Sequence, residues 1–335
     1  MTMTNNNEDN PLQLAPRRSP GSLLRAGGRE LLIAAPLTGF QPDGSVDLEI
    51  IPPYARMLHA NSVGGAFING TTGEGLSLTI AERRVIAERW VQAAPEGFQV
   101  IVHVGHVCQK ESQALAAHAA TIGASALGEI GPVFYRPPTV AALADYIAAT
   151  AAAAPGIPYY YYHMPAMNQV DFAMIDLLKT VGSIPNFAGV KYTFEDLADY
   201  RKCVQYDNGR YDILFGRDEL LLKSLQCGAT GAVGSTYNFM APIYHELMKA
   251  FHDGDETRAQ RMQDLAIRGI EILAETGAFF SAAKALLRAI GLQIGATVSR
   301  PLPQLPEEAA AQMMARLQEA GVGDYLNTTQ DRSVG

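Results

Sequence analysis

FAGVKYTF, residues 187–194, is the stretch on which the fold turns. It reads as an apolar β-strand with a lysine at its centre, flanked by Val190 and Tyr192. Strict alternation puts Phe187, Gly189, Lys191 and Thr193 on one face and Ala188, Val190 and Tyr192 on the other. Similar runs precede it: LLIAAPL (31–37), GGAFING (64–70), QVIVHVG (99–105), SALGEIG (125–131) and PYYYYHM (158–164). Two more follow it, YDILFG (211–216) and GAVGST (231–236). Between them lie helical segments such as TIAERRVIAERWVQAA (79–94) and KESQALAAHAATIG (110–123). In the second of these, Ala114, Ala117, Ala120 and Ile122 form the expected apolar stripe.

Eight strand–helix units in alternation imply parallel strands joined by right-handed crossovers. A doubly wound sheet is the competitor, but the Gly-rich dinucleotide turn that often marks one is absent after the first strand. The expected fold is α/β, a (β/α)8 TIM barrel over residues 31–252. Beyond residue 236 the pattern turns helical, near 241–252, 255–275, 278–291 and 306–320. Residues 253–335 are expected to be C-terminal helices packed on the barrel, and a tail. Residues 1–30, opening with MTMTNNNEDNPLQLAPRRSPGS, are polar and lack the apolar core of a secretory signal, so a disordered or extended segment is expected.

Composition narrows the partners. The 335-residue chain carries a net charge of −8, which argues against nucleic acid or an anionic membrane as the main partner. No apolar run approaches the ~20 residues of a membrane span. The three cysteines, Cys108, Cys203 and Cys227, form no CxxC pair and suit a reducing cytoplasm.

A barrel of this kind gathers its chemistry at the C-terminal ends of its strands. The unusual residues of this chain fall there, in GTTGEG (70–75), YYHMP (161–165), Lys191-Tyr192-Thr193, GRDE (216–219) and GSTYN (234–238). Thr71 and Thr72 offer adjacent hydroxyls between glycines, and backbone amides leading into the following helix suit a carboxylate or phosphate. A plain turn with a capping threonine is the equal alternative. Tyr162 at a strand end can turn its hydroxyl into the mouth as a proton relay, although an aromatic run is more often core. His163, His103 and His106 read as hydrogen-bonded core histidines, and no metal is expected for want of further ligands. Asp218 and Glu219 open a helix, where the dipole alone favours acids.

Lys191 is one of seven lysines, and the other six lie in segments read as helical or as helix starts. Either face of a barrel strand is a poor place for a permanent ammonium. Desolvation lowers a lysine's pKa, and the neutral amine condenses with ketones to a Schiff base. Covalent carbonyl chemistry at Lys191 is therefore the leading expectation.

GTTGEGLS, YYYHMPA, GVKYT, LFGRDE and GATGAVGSTYN, in this order, resemble the N-acetylneuraminate lyase / dihydrodipicolinate synthase family of class I aldolases, over about residues 31–305. YYYHMPA and GATGAVGSTYN are most similar to its N-acetylneuraminate lyase branch. The resemblance implies that Lys191 forms the Schiff base with pyruvate or the sialic acid. It implies Tyr162 as proton relay, with Thr71 and Thr72 holding the substrate carboxylate. It assigns Thr193, Gly216, Asp218, Glu219 and Ser235 to the hydroxylated chain of the sugar acid. It also implies a homotetramer, a small-molecule substrate, and no cofactor.

Where the synthase branch carries an arginine for a second carboxylate, this chain has Met167, and the Asp218-Glu219 pair suits a polyhydroxylated substrate. The expected reaction is cleavage of N-acetylneuraminate to N-acetylmannosamine and pyruvate. Two departures stand against it. Met167-Asn168-Gln169 replaces the lyases' usual Leu-Thr-Gly beside the pocket, and Phe134 stands where many relatives place a neighbouring subunit's tyrosine. A sibling aldolase, synthase or dehydratase on another 2-keto sugar acid is the first alternative. A barrel that merely binds a keto acid is the second.

Overall fold

A computed structural model describes residues 22–23 and 31–329. Eight parallel strands close into a barrel in sequence order: β1 (Leu31–Ala34), β2 (Gly65–Ile68), β3 (Gln99–His103), β4 (Ala126–Ile130), β5 (Tyr159–His163), β6 (Phe187–Tyr192), β7 (Asp212–Phe215) and β8 (Gly231–Gly234). β1 pairs with both β2 and β8, so no strand edge is left open. The expected (β/α)8 barrel is the fold.

Strand alternation divides the apolar side chains into two cores. Ile33, Phe67, Ile101, Tyr160, Leu214 and Val233 fill the barrel interior. Their neighbours Leu32, Ile68, Val100, Val102 and Phe215 face the surrounding helices. β6 breaks the alternation: its register against β5 slips by one residue, Tyr159 pairing with Phe187 but Tyr160 with Gly189. This bulge turns Phe187 out with Val190 and Tyr192, and turns Ala188 into the interior. Phe187 and Lys191 therefore do not share a face, contrary to strict alternation. Gly189 permits the close approach of β7, since a Cβ there would lie 1.9 Å from the Asp212 carbonyl oxygen.

The Gln109–Thr121 helix also departs from expectation, burying Ser112, Leu115, Ala116 and Ala119 while Ala117 faces solvent. Alanine is at home on either side of a helix, so the large side chain, Leu115, selects the buried face.

Past the barrel, helices Glu256–Ala274, Phe279–Ala289 and Glu307–Glu319 follow the Tyr237–His252 helix, close to the expected segments. Residues 1–21 and 24–30 lie outside the described residues. Ser22 and Leu23 are placed, however, at the opposite end of the barrel from the site. There the Ser22 hydroxyl (2.6 Å), the Leu23 amide (3.0 Å) and the Tyr160 hydroxyl (2.6 Å) all donate to the buried Asp212 carboxylate. This short piece of the N-terminal segment is thus docked, because it supplies partners for a carboxylate that burial would otherwise penalise.

Candidate active site

Two lysines are buried, and their surroundings differ. Lys284, in the Phe279–Ala289 helix, is paired with Glu74 at 2.8 Å and donates to the Thr297 carbonyl. Lys191 is 4% exposed, and no ion pair is found for it among the described residues. Its Nζ lies 4.0 Å from the ring centroids of both Phe67 and Tyr162. Burial pulls its pKa down to about 7, against the opposing pull of the Asp218 charge. An ammonium this poorly solvated gives up its proton near neutrality and leaves a nucleophile.

Lys191 lies beside a cavity of about 460 Å³ at the C-terminal ends of the strands. Thr71, Thr72, Tyr162, Lys191, Thr193, Gly216, Asp218, Glu219 and Ser235 all line it, so every site residue expected from the sequence meets the others there. The Tyr162 hydroxyl is 3.5 Å from Thr71 Oγ1 and donates to Met164 Sδ at 2.8 Å. Burial raises the Tyr162 pKa, and the Thr71 and Thr193 hydroxyls partly offset this, so the phenol is protonated and able to donate.

Thr71 and Thr72 sit on a tight turn closed by the Glu74 amide on the Thr71 carbonyl (3.0 Å) and the Gly75 amide on Gly70 (3.1 Å). A 3-10 turn, Gly75–Ser77, follows. The next α-helix begins only at Ile80, where Thr79 and Glu82 form a reciprocal capping box. The Glu74 and Gly75 amides are thus taken up by the turn, and the Glu82 amide by the cap. What remains at the cradle is the pair of threonines and the turn itself.

Asp218 is buried, with Oδ2 accepting from the Thr236 amide (3.0 Å) and hydroxyl (2.6 Å). Oδ1 has no hydrogen-bond partner among the described residues. Burial lifts its carboxyl to about 6, while the Thr236 bonds hold it down. Glu219 is more open and shares Arg217 with Glu195, at 3.5 and 2.9 Å. Gly216 admits Thr193, whose Oγ1 would lie 1.9 Å from a Cβ at that position.

The histidines divide. His103 is buried, its Nε2 accepting from the Ile130 amide, and burial with the nearby Arg83 and Lys191 charges keeps its pKa well below normal. His163 is buried too, and desolvation takes its pKa to about 4. His106 is not a core residue; half-buried, it accepts the Cys108 amide in a turn. Among the described residues, no cluster of three or more His, Cys, Asp or Glu suited to a metal is found.

A profile of the dihydrodipicolinate synthetase family matches residues 29–320. The chain belongs to the dihydrodipicolinate synthetase family. It is 40% identical to N-acetylneuraminate lyase of Mus musculus over 302 residues, covering 89% of this chain and 93% of that one. The solved N-acetylneuraminate lyase of Proteus mirabilis superposes with a TM-score of 0.84 at 39% identity, covering 88% of this chain and 99% of that one. A sialic acid aldolase of Ruminococcus gnavus, solved as a catalytic lysine mutant, gives 0.84 at 26% identity, covering 90% of this chain and 100% of that one.

In this member of the family, Met167, Asn168 and Gln169 do not line the cavity; Met164 and Ala166 do. Met167 is 55% exposed, Asn168 turns inward, and Gln169, in the left-handed region, pairs with Arg136. Phe134 and Tyr135, packed edge to face, also stand outside it. Sequence reasoning missed the far wall, which Ile270, Ala274 and Phe279 supply from the C-terminal helices. It also missed Lys284, although a lysine inside FFSAAKALL carries the same signal as Lys191.

Proposed function

We propose that this protein cleaves N-acetylneuraminate to N-acetylmannosamine and pyruvate through a Schiff base at Lys191. The chain is a carbon–carbon lyase of the pyruvate-dependent class I aldolase type; the substrate and the residue roles are the proposal. The observation that carries it is a buried lysine with no ion pair among the described residues, its pKa brought down to about 7, beside a tyrosine hydroxyl and a pair of threonines. The relatives bearing the name N-acetylneuraminate lyase support the choice of sugar acid. Met167, Asn168 and Gln169 lie outside the cavity lining, which supports this sugar acid over a sibling substrate.

In this reading the substrate carboxylate sits on Thr71 and Thr72, and neutral Lys191 attacks the C2 carbonyl. Loss of water gives an iminium, which accepts the electron pair of the breaking C–C bond as an enamine. Tyr162 relays the proton taken from the cleaving hydroxyl, assisted by the carboxylate. Asp218, Glu219, Thr193, Gly216 and Ser235 hold the polyol chain. No diffusible cofactor enters this sequence. A homotetramer in the cytoplasm completes the proposal; no helix of the described residues is long and apolar enough to cross a membrane.

Borohydride reduction in the presence of pyruvate tests the reading. A reduced three-carbon adduct at Lys191, located by peptide mass spectrometry, is expected. An unmodified Lys191 would overturn the mechanism, and a panel of 2-keto sugar acids then ranks the substrate.

A further inference from the structure

Met164 lies just past the C-terminal end of β5, half-buried and lining the cavity. Its Sδ is 2.8 Å from the Tyr162 hydroxyl and 3.8 Å from Thr71 Oγ1. A thioether is a weak acceptor and a soft, oxidisable atom. Here it touches both hydroxyls to which the proposed function gives the proton relay and the carboxylate cradle.

We propose that Met164 is a peroxide-responsive modification site, whose conversion to the sulfoxide shuts the enzyme down reversibly; this rests on the roles given to Tyr162 and Thr71 above. A hydroperoxide supplies the oxidant. The Sδ lone pair attacks the peroxide oxygen, an S–O bond forms and the O–O bond breaks. The sulfur is oxidised to the sulfoxide, and the departing oxygen takes the proton and leaves as water or alcohol. The new S=O is a much stronger acceptor than the thioether. It ties the Tyr162 hydroxyl down as a donor to itself and places a polar oxygen against the Thr71 cradle. The sulfur is within reach of a small oxidant, because its side chain borders the open cavity.

Other oxidisable groups stand elsewhere. Met167 is 55% exposed and Cys108 is exposed, but neither lines the cavity or touches the two hydroxyls. Oxidation at those positions leaves the Tyr162–Thr71 contact as it is. The exposed sulfurs of Met167 and Cys108 are thus distinct from the sulfur that touches the two hydroxyls.

The test exposes the full chain to graded hydrogen peroxide, stops the reaction with catalase, and measures turnover beside the oxidation state of the Met164 peptide. Turnover is expected to fall in proportion to Met164 sulfoxide, reaching about a tenth or less at full conversion. Methionine sulfoxide reductase with a thiol reductant is expected to restore it. Full turnover with Met164 completely converted would overturn the proposal, as would a loss that tracks Met167 or Cys108 while Met164 stays reduced. Met164→Leu, compared with its own untreated sample, is expected to ride through the same exposure; inactivation at the wild-type rate would also overturn it. Should that variant not fold, the stoichiometry and the reductase recovery decide alone. Borohydride trapping of untreated enzyme separates the two readings. No adduct at Lys191 removes the aldolase assignment, whereas an adduct with peroxide-indifferent turnover removes only the role of Met164.

Discussion

Glu74 and Lys284, 210 residues apart in the chain, meet in a 2.8 Å ion pair with both side chains wholly buried. The other Glu74 oxygen accepts the Ser299 amide at 2.5 Å, and Lys284 donates to the Thr297 carbonyl at 2.6 Å. Glu74 also adopts the left-handed region, with φ at 57°. The threonine turn is therefore anchored from the C-terminal helices, which also supply the far wall of the cavity.

Breaking this pair should be costly. Removing one partner strands a buried charge, a loss of about 3–5 kcal/mol. Glu74→Gln and Lys284→Met are each expected to lower the urea midpoint, and the double variant to recover part of the loss. Pyruvate KM should rise in Glu74→Gln, since the turn carrying Thr71 loses its tether. Single variants that unfold at the wild-type midpoint would show that the pair secures nothing.

The pH dependence of Schiff-base formation follows from Lys191. The attacking form is the neutral amine, so the rate rises with pH, is half-maximal near the pKa of about 7, and levels off above it. Stopped-flow trapping of pyruvate across pH 5–9 reads this directly. A flat profile would place the nucleophile elsewhere.

Tyr162→Phe separates carbonyl capture from C–C cleavage. The variant keeps the ring beside Lys191 and loses only the hydroxyl that lies near Thr71. Sugar-acid turnover is expected to fall by about 10²–10⁴ while the borohydride adduct still forms. A variant retaining full kcat would exclude the phenol as the relay.

Asp218→Asn tests recognition and electrostatics together. The Asp218 charge holds the Lys191 pKa up, so its removal should shift the Schiff-base profile towards lower pH. Sugar-acid turnover should fall about tenfold to a hundredfold through lost hydrogen bonds to the polyol, with pyruvate trapping intact. Loss of trapping as well would mark the residue as structural, through its bonds to Thr236.

Much of this site was legible because its residues sit in short local motifs at strand ends, and barrel topology alone says where strand ends converge. GTTGEG, YYHMP and GRDE needed only that rule. Local pattern failed where partners come from far away. The helix of 79–94 starts where expected, at Ile80 behind Thr79, but a 3-10 turn, Gly75–Ser77, stands between it and the threonines. MPAMNQ reads as a pocket border, yet a single helical turn, Pro165–Asn168, swings Met167 outward and leaves Ala166 and Met164 as its residues on the cavity. The bulge in β6 is invisible to an alternation rule, since it answers to the β5 register.

The eight-fold alternation, the strand that carries Lys191 and the segments around its mouth can all be read along the chain, because periodicity and strand order are properties of neighbours in the sequence. Packing between distant segments settles which of the two buried lysines has no counter-ion among the described residues. It did so by bringing Glu74 to Lys284 and leaving Lys191 against two aromatic rings. A lysine's pKa is set by what desolvates it and what charge lies nearby, and for both lysines those groups come from other parts of the chain.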